Sequence, residues 1–326
     1  MMKLFSQNIL VQAVVIVAAM VMLWWNALAT PQPMTASDGA LLYGIVANWL
    51  APLPLLGVIL AMMLVLAEGV LLNILLVDHG LAPQNSMLPT LLYVVCASAA
   101  ATTLTPMLLS AALLIACTQQ LLLKGSLLTI STERACAATA FIGLASLFYL
   151  PSALMLVAYL LVAVNYRLYS WKDWSVLFLG FLAPYLLVAT VLYMTDGLAQ
   201  WFGSIVAAFA DVHIRIGEFT TLQAVGNAVL VLLLLAGVVS VWNISGERTV
   251  LWQKNAATML AYLFGTVAML FVTRLFTVDM QTAAVSFSFC VACLLMPPTR
   301  TAARKKRREW LPALLLVITI VAALLC

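Results

Sequence analysis

Apolar residues fall in runs close to the roughly 20 residues that a helix needs to cross a hydrocarbon core. Polar or proline-bearing points separate the runs. They predict helices over 9–28, 50–77, 88–104, 106–123, 135–149, 151–164, 176–195, 222–243, 256–273, 281–297 and 311–326, about eleven spans in all. Two stretches, 88–123 and 135–164, can be read as single tilted helices or as hairpins of two short ones. Pro106 and Pro151 stand near their centres, where proline interrupts a helix and its predecessor turns extended. The halves are short for a bilayer, so hairpins call for shelter from neighbouring helices.

Composition narrows the class. Apolar residues make up 65% of the 326 positions and charged residues 8%, against roughly 45–50% and about 25% in soluble domains. So few charges cannot cover a water-soluble fold of this length. In lipid, every backbone group must be satisfied within the chain, which favours helices. The expectation is an all-α, polytopic helical membrane protein forming one integral membrane domain over 1–326, with the lipid bilayer as its first partner.

Charge then orients the spans. With hairpins, Lys3, Lys124, Arg134, Arg167, Lys172, Arg248, Lys254, Arg300 and the run Arg304 to Arg308 fall on one side, leaving Arg215 and Arg274 on the other. The positive-inside rule makes the crowded side cytoplasmic, with the N-terminus inside. A single helix in just one of the two stretches would invert the loops that follow and weaken this bias. The basic run lies between apolar segments and reads as a cytoplasmic anchor; no nucleic-acid partner is expected.

Lys3, the apolar stretch from Ile9 and Ala27-Leu28-Ala29 could pass for a secretory signal. The length from Ile9 to Leu28 favours a retained span, with Trp24 and Trp25 placed for an interfacial aromatic belt. The two substantial outer loops are 29–49 and 196–221. Gln200 to Phe209 is predicted as a helix lying in the outer interface, and Asn165 to Trp174 as an aromatic, cationic elbow inside. Cys96, Cys117, Cys136, Cys290 and Cys326 lie in or beside apolar runs and read as small core residues. Cys290 and Cys293 form a C-x-x-C without the context of a redox or zinc site.

No glycine-rich nucleotide loop, paired-histidine site or serine hydrolase elbow is present. Chemistry must therefore come from isolated polar groups. Asp38 is the one charge in the first outer loop; it suits a general base or a metal-binding acid, or else Ser37 or Asp38 caps a helix beginning near Gly39. Arg215 and Arg274 break the charge rule. A membrane-edge arginine can hold a lipid phosphate with paired donors, or it can snorkel or pair with Asp211, Glu218 or Asp279. His213 lies between Asp211 and Arg215 and could tune the same patch. Glu68 sits deep in the second span, where an ionisable group is expensive and stands as a functional candidate. Asn73 is five positions on, about 140° around the helix, so the two do not share a face. Asp78 and His79 are expected to cap and turn the inner end of that span.

Across roughly 37–190 the order of features resembles the GT-C superfamily of membrane glycosyltransferases. SDGALLY at 37–43 looks like its outer loop, in which an acid is followed by a tyrosine and an interfacial helix. NSMLPTLLYVVCASAAATTLTPMLLSAALLIA at 85–116 resembles its compact hairpins, and FIGLASLFYLPSALMLVAYLLV at 141–162 its small-residue helix and following hairpin. WKDWSVLFLGFLAPYLL at 171–187 is similar to its next inner turn and span. The same stretches, especially GLASLFYLPSALML and SWKDW, also resemble an uncharacterised family of bacterial multi-span proteins, known as a domain of unknown function. The GT-C resemblance implies a helical module over 1–195, followed by an outer interfacial segment and C-terminal spans over 196–326. It also implies a polyprenyl-phosphate-linked sugar as donor and a bacterial inner-membrane location. Asp38 would then be catalytic, with Arg215, Arg274 and His213 binding substrate. The sugar is already activated, so no ATP site is required; no cofactor is implied with certainty, and a divalent metal is compatible with Asp38. The rival expectation is a non-enzymatic membrane subunit that docks through its helices on a secretion or envelope-assembly partner. A transporter would make Glu68 its proton-coupling residue, but no inverted repeat supports one.

Overall fold

The computed structural model describes residues 9–32, 34, 41–83, 86–98, 103–125, 129–166, 170–210, 221–272 and 280–295. Among these the regular structure is helical throughout: α1 Ile9–Ala29, α2 Leu41–Leu50, α3 Pro54–Asp78, α4 Leu88–Ser98, α5 Pro106–Leu121 and α6 Thr132–Phe148. A 3-10 turn, Leu150–Leu154, leads to α7 Met155–Asn165, then α8 Trp171–Met194, α9 Leu198–Ala210, α10 Thr221–Ser245, α11 Val250–Val272 and α12 Met280–Leu295. Four helices, α1, α3, α8 and α10, are long and apolar enough to cross a membrane. The expected span at 311–326 lies outside the described residues.

Both doubtful stretches are broken. The first separates α4 from α5, and Pro106 opens α5, with the Thr105 hydroxyl capping the Leu108 N–H. Proline suits that first position because its missing N–H is one no helix would use. The second breaks at Tyr149, the C-cap residue of α6, with Pro151 in the 3-10 turn that follows. Side-chain pairings give the directions. Glu68 on α3 meets Tyr93 on α4, while Gly57 lies near Thr103, so α3 and α4 run antiparallel. Asp78, at the end of α3, meets Lys124 beyond α5, and Glu68 lies beside Ala112, so α5 runs parallel to α3. Chain direction therefore reverses between α4 and α5. Arg134, near the start of α6, donates to Leu122 O just past α5, which makes α5 and α6 antiparallel in turn.

The short helices are the sheltered ones. Every residue of α4 is buried, as is α12 from Gln281 to Cys293. At eleven residues, α4 is about 16 Å long, roughly half a hydrocarbon core. Burial among α1, α3 and α12 keeps its frayed ends out of lipid, where unpaired backbone groups are not tolerated. Three of the long helices take the periphery: 22% of the apolar window of α1, 17% of that of α8 and 22% of that of α10 are buried, against 44% for α3.

Small residues set the closest crossings. A Cβ on Gly143 of α6 would strike the Phe181 carbonyl of α8, and one on Gly180 would strike Thr139 Oγ1. A Cβ on Gly237 of α10 would lie 2.8 Å from the Cys290 carbonyl carbon of α12. Close backbone approach of this kind replaces the hydrophobic driving force that lipid cannot supply.

Two expectations change in detail. Trp25 is exposed, but Trp24 is turned inward and fully buried, its Nε1 donating to Ser98 Oγ at 2.9 Å. The inner elbow is shorter than expected, because α8 begins at Trp171, with Asp173 in its first turn. There an acid complements the partial positive charge of a helix N-terminus.

Candidate functional site

Asp38, His213, Arg215 and Arg274 lie outside the described residues. The elements that flank them are described. α1 ends at Ala29 and α2 begins at Leu41, bracketing the loop that carries Asp38. Tyr43, five residues after Asp38, is buried and donates its hydroxyl to Leu104 O at 3.0 Å. That contact ties α2 to the gap between α4 and α5. Beside it, Thr105 Oγ1 donates to Gln281 Oε1 at 2.6 Å, and Gln281 Nε2 reaches Ala97 O at 3.5 Å. The start of α2, the start of α5 and the start of α12 thus share one end of the bundle, and Trp24 near the end of α1 reaches it through Ser98.

The opposite end is cationic. Lys124 Nζ lies 2.9 Å from Asp78 Oδ2. One nitrogen of Arg134 donates to Gln119 O at 3.1 Å and Leu122 O at 2.9 Å, carbonyls that the C-terminus of α5 leaves without helical partners. Lys254 Nζ sits 5.7 Å from the ring centroid of Tyr166, and Arg248 lies 5.9 Å from that of Trp252. Lys172 opens α8 next to Asp173, whose carboxylate meets Thr132. Every lysine and arginine among the described residues is therefore at this end. His79, just past the end of α3, donates Nδ1–H to Leu75 O at 2.7 Å, so the expected turn is also a side-chain cap. Burial holds its pKa below the usual value, opposed first by that hydrogen bond.

Glu68 lies between the two ends with 1% of its surface exposed. Gly69 explains the approach of α4, since an added Cβ would lie 3.2 Å from Thr90 Cγ2 and 3.3 Å from Tyr93 Cδ1. Thr90 Oγ1 donates to the Gly69 carbonyl at 3.1 Å, and Tyr93 then donates its hydroxyl to Glu68 Oε2 at 2.6 Å. The carboxyl also lies beside the Ala112 backbone of α5, yet Oε1 has no hydrogen-bond partner. A charged carboxylate held this way at hydrocarbon depth costs at least about 2.5 kcal/mol, so the neutral acid is the form that fits. Asn73, half-buried on another face, leaves its own Oδ1 without a partner.

A cavity of about 20 Å³ lies between α5, α6, α7 and α11, lined by Cys117, Thr118, Tyr159, Thr258 and Tyr262 among others. The hydroxyls of Tyr159 and Tyr262 are buried without partners. Thr258 Oγ1 and the Tyr166 hydroxyl lie 2.8 Å apart. Cys290 and Cys293 are buried free thiols packed against α10. Among the described residues no three of His, Cys, Asp and Glu come together as a metal site.

Sequence reasoning reached Glu68 but missed Tyr93, Tyr262, Thr258 and Tyr166. One signal was present: Lys254, Thr258, Tyr262 and Thr266 recur every four residues on one face of an apolar helix. Comparisons with protein-family models, with curated proteins and with solved structures find no match to this chain.

Proposed function

We propose that this chain is an eleven-span membrane protein with a GT-C-like N-terminal arrangement, handling a polyprenyl-phosphate-linked sugar at the outer face of a bacterial inner membrane. The observation that carries this reading is the order of elements from α1 to α7. A long span and a loop bearing Asp38 lead to a ten-residue helix that begins two residues before Tyr43, a second long span and two pairs of short helices. The cationic end is cytoplasmic by the positive-inside rule, which puts the flanks of the Asp38 loop on the outer side.

In this reading the Asp38 carboxylate takes the proton of an acceptor hydroxyl as its oxygen attacks the anomeric carbon of the sugar. The bond from that carbon to the phosphate oxygen breaks, and the phosphate leaves with the electron pair. Arg215 and Arg274 hold the phosphate where charge develops, with His213 beside Arg215. The sugar arrives activated, so no nucleotide site is needed.

The test compares variants for growth of a deletion strain and for binding of the lipid phosphate. Asp38→Asn keeps binding and fold but abolishes transfer. Arg274→Ala removes a charged hydrogen bond worth about 1.5–3 kcal/mol and weakens binding roughly ten- to a hundredfold. Full complementation by both variants would overturn the reading in favour of a non-enzymatic membrane subunit.

A further inference from the structure

We propose that the cationic end of the bundle holds a binding site for the phosphate group of an anionic phospholipid, gripped by Arg134 and Lys254 where α5, α6, α7 and α11 come together.

Hydrogen bonds place the two cations. Arg134 on α6 donates to Leu122 O at 2.9 Å, and Asn255 on α11 takes both the N–H and the carbonyl of Leu123. Leu122 and Leu123 are consecutive, with Cα atoms about 3.8 Å apart, so α6 and α11 are pinned to neighbouring residues of one short segment. Lys254 precedes Asn255, and its ammonium lies 5.7 Å from the ring centroid of Tyr166. The ring is itself fixed, because the Tyr166 hydroxyl lies 2.8 Å from Oγ1 of Thr258, one turn along α11 from Lys254. Lys124, the residue after Leu123, brings a third cation to the rim.

Arg134 has donors to spare. A guanidinium carries five N–H groups in a planar fork. Both side-chain bonds of Arg134 come from one nitrogen, Nη2, and its Nε and Nη1 meet no acceptor among the described residues. Such a fork matches phosphate oxygens in pairs. The acids at this end are engaged elsewhere: Asp78 pairs with Lys124 at 2.9 Å, and Asp173 meets Thr132. No carboxylate among the described residues forms an ion pair with Arg134. A phosphate group supplies the counter-charge.

The adjoining surface favours a lipid as its source. Ala257, Ala261 and Phe264 follow Lys254 at three, seven and ten positions, on one face of α11. None of the three is buried, and Phe264 is 56% exposed. This stripe runs about 15 Å from the level of Lys254 into the apolar part of the bundle and offers a seat for an acyl chain, from which free phosphate would gain nothing. Basic pockets between spans on the cytoplasmic side are where anionic headgroups bind. The site is independent of the reading of Asp38.

The experiment titrates the full chain, purified in detergent and stripped of lipid, with phosphatidylglycerol, phosphatidylcholine or inorganic phosphate while Tm is followed. Native mass spectrometry detects the lipid that stays bound. Phosphatidylglycerol raises Tm saturably and is retained, whereas phosphatidylcholine and inorganic phosphate at the same concentration leave Tm unchanged. Lys254→Gln moves the phosphatidylglycerol midpoint at least tenfold upward, as loss of a charged hydrogen bond does. Arg134→Gln also uncaps α5 and lowers Tm without lipid, so its readout is the midpoint, which moves by a similar factor. Arg248→Gln removes an equal charge from beside Trp252 and leaves the midpoint where it was. Equal weakening by Lys254→Gln and Arg248→Gln means diffuse attraction and overturns the site. So does a parent chain that ignores phosphatidylglycerol, an unchanged midpoint in Lys254→Gln, or an equal response to phosphatidylcholine. A response to inorganic phosphate that matches phosphatidylglycerol overturns the lipid as its occupant.

Discussion

The side chain of Asn255 closes on the backbone of Leu123 from both sides. Its Oδ1 accepts the Leu123 N–H at 2.9 Å and its Nδ2 donates to the Leu123 carbonyl at 3.0 Å. Leu123 follows the last turn of α5, where helix and water both fail to reach the backbone, and both residues are fully buried. The clamp fixes the start of α11 against the end of α5. It sets Lys254 and Lys124 at the same level and so helps define the cationic end.

Asn255→Leu removes both bonds and leaves a donor and an acceptor buried, at roughly 1–3 kcal/mol each. Thermal unfolding in detergent should show a clearly lower Tm for this variant. A Tm equal to that of the parent would mean that water reaches Leu123.

Glycine substitutions separate tight crossings from open positions. Gly143→Ala pushes a methyl group into the Phe181 carbonyl and should destabilise by roughly 1–3 kcal/mol. Gly44→Ala, with nothing within 4 Å of the new atom, should stabilise α2 by about 0.5–1 kcal/mol. Denaturation of the two variants in one detergent gives the comparison, and equal shifts would contradict the crossing of α6 and α8.

His79 makes stability depend on pH. Burial lowers its pKa in the folded chain, so the unfolded chain binds more protons as pH falls through the ordinary histidine range near 6.5. Stability is then complete at neutral pH and declines below that range. His79→Asn, which cannot take up a proton, should flatten the decline measured by Tm between neutral and mildly acidic pH.

Helix positions were legible because hydrocarbon thickness dictates run length, and the breaks because Pro106 and Pro151 interrupt helices for local steric reasons. The rotation of each helix about its axis was not legible. Where both faces are apolar, the 3.6-residue periodicity that marks a buried side disappears, so Trp24 gave no sign that it faces Ser98 rather than lipid. Boundaries drifted where charge masked helix. α11 begins at Val250, six residues earlier than the apolar run suggested, because Lys254 lies over the Tyr166 ring and Asn255 bonds to Leu123 at the bundle end instead of ending the helix. Glu68 could be singled out by its cost in lipid, but Tyr93 lies on a separate helix 25 positions away, and no single-helix pattern links them.

In the proposed orientation the bundle has two chemically distinct ends, with the cations inside and the loop bearing Asp38 outside. Cysteine labelling from each side of sealed membranes tests it most directly, with the native cysteines replaced. Substitutions at Gly125 and Gly246, beside Lys124 and Arg248, should react only from the cytoplasmic side. Substitutions at Thr30 and Asp196 should react only from the outer side. Labelling of Gly125→Cys and Thr30→Cys from the same side would contradict the two-ended bundle and remove Asp38 from the outer face.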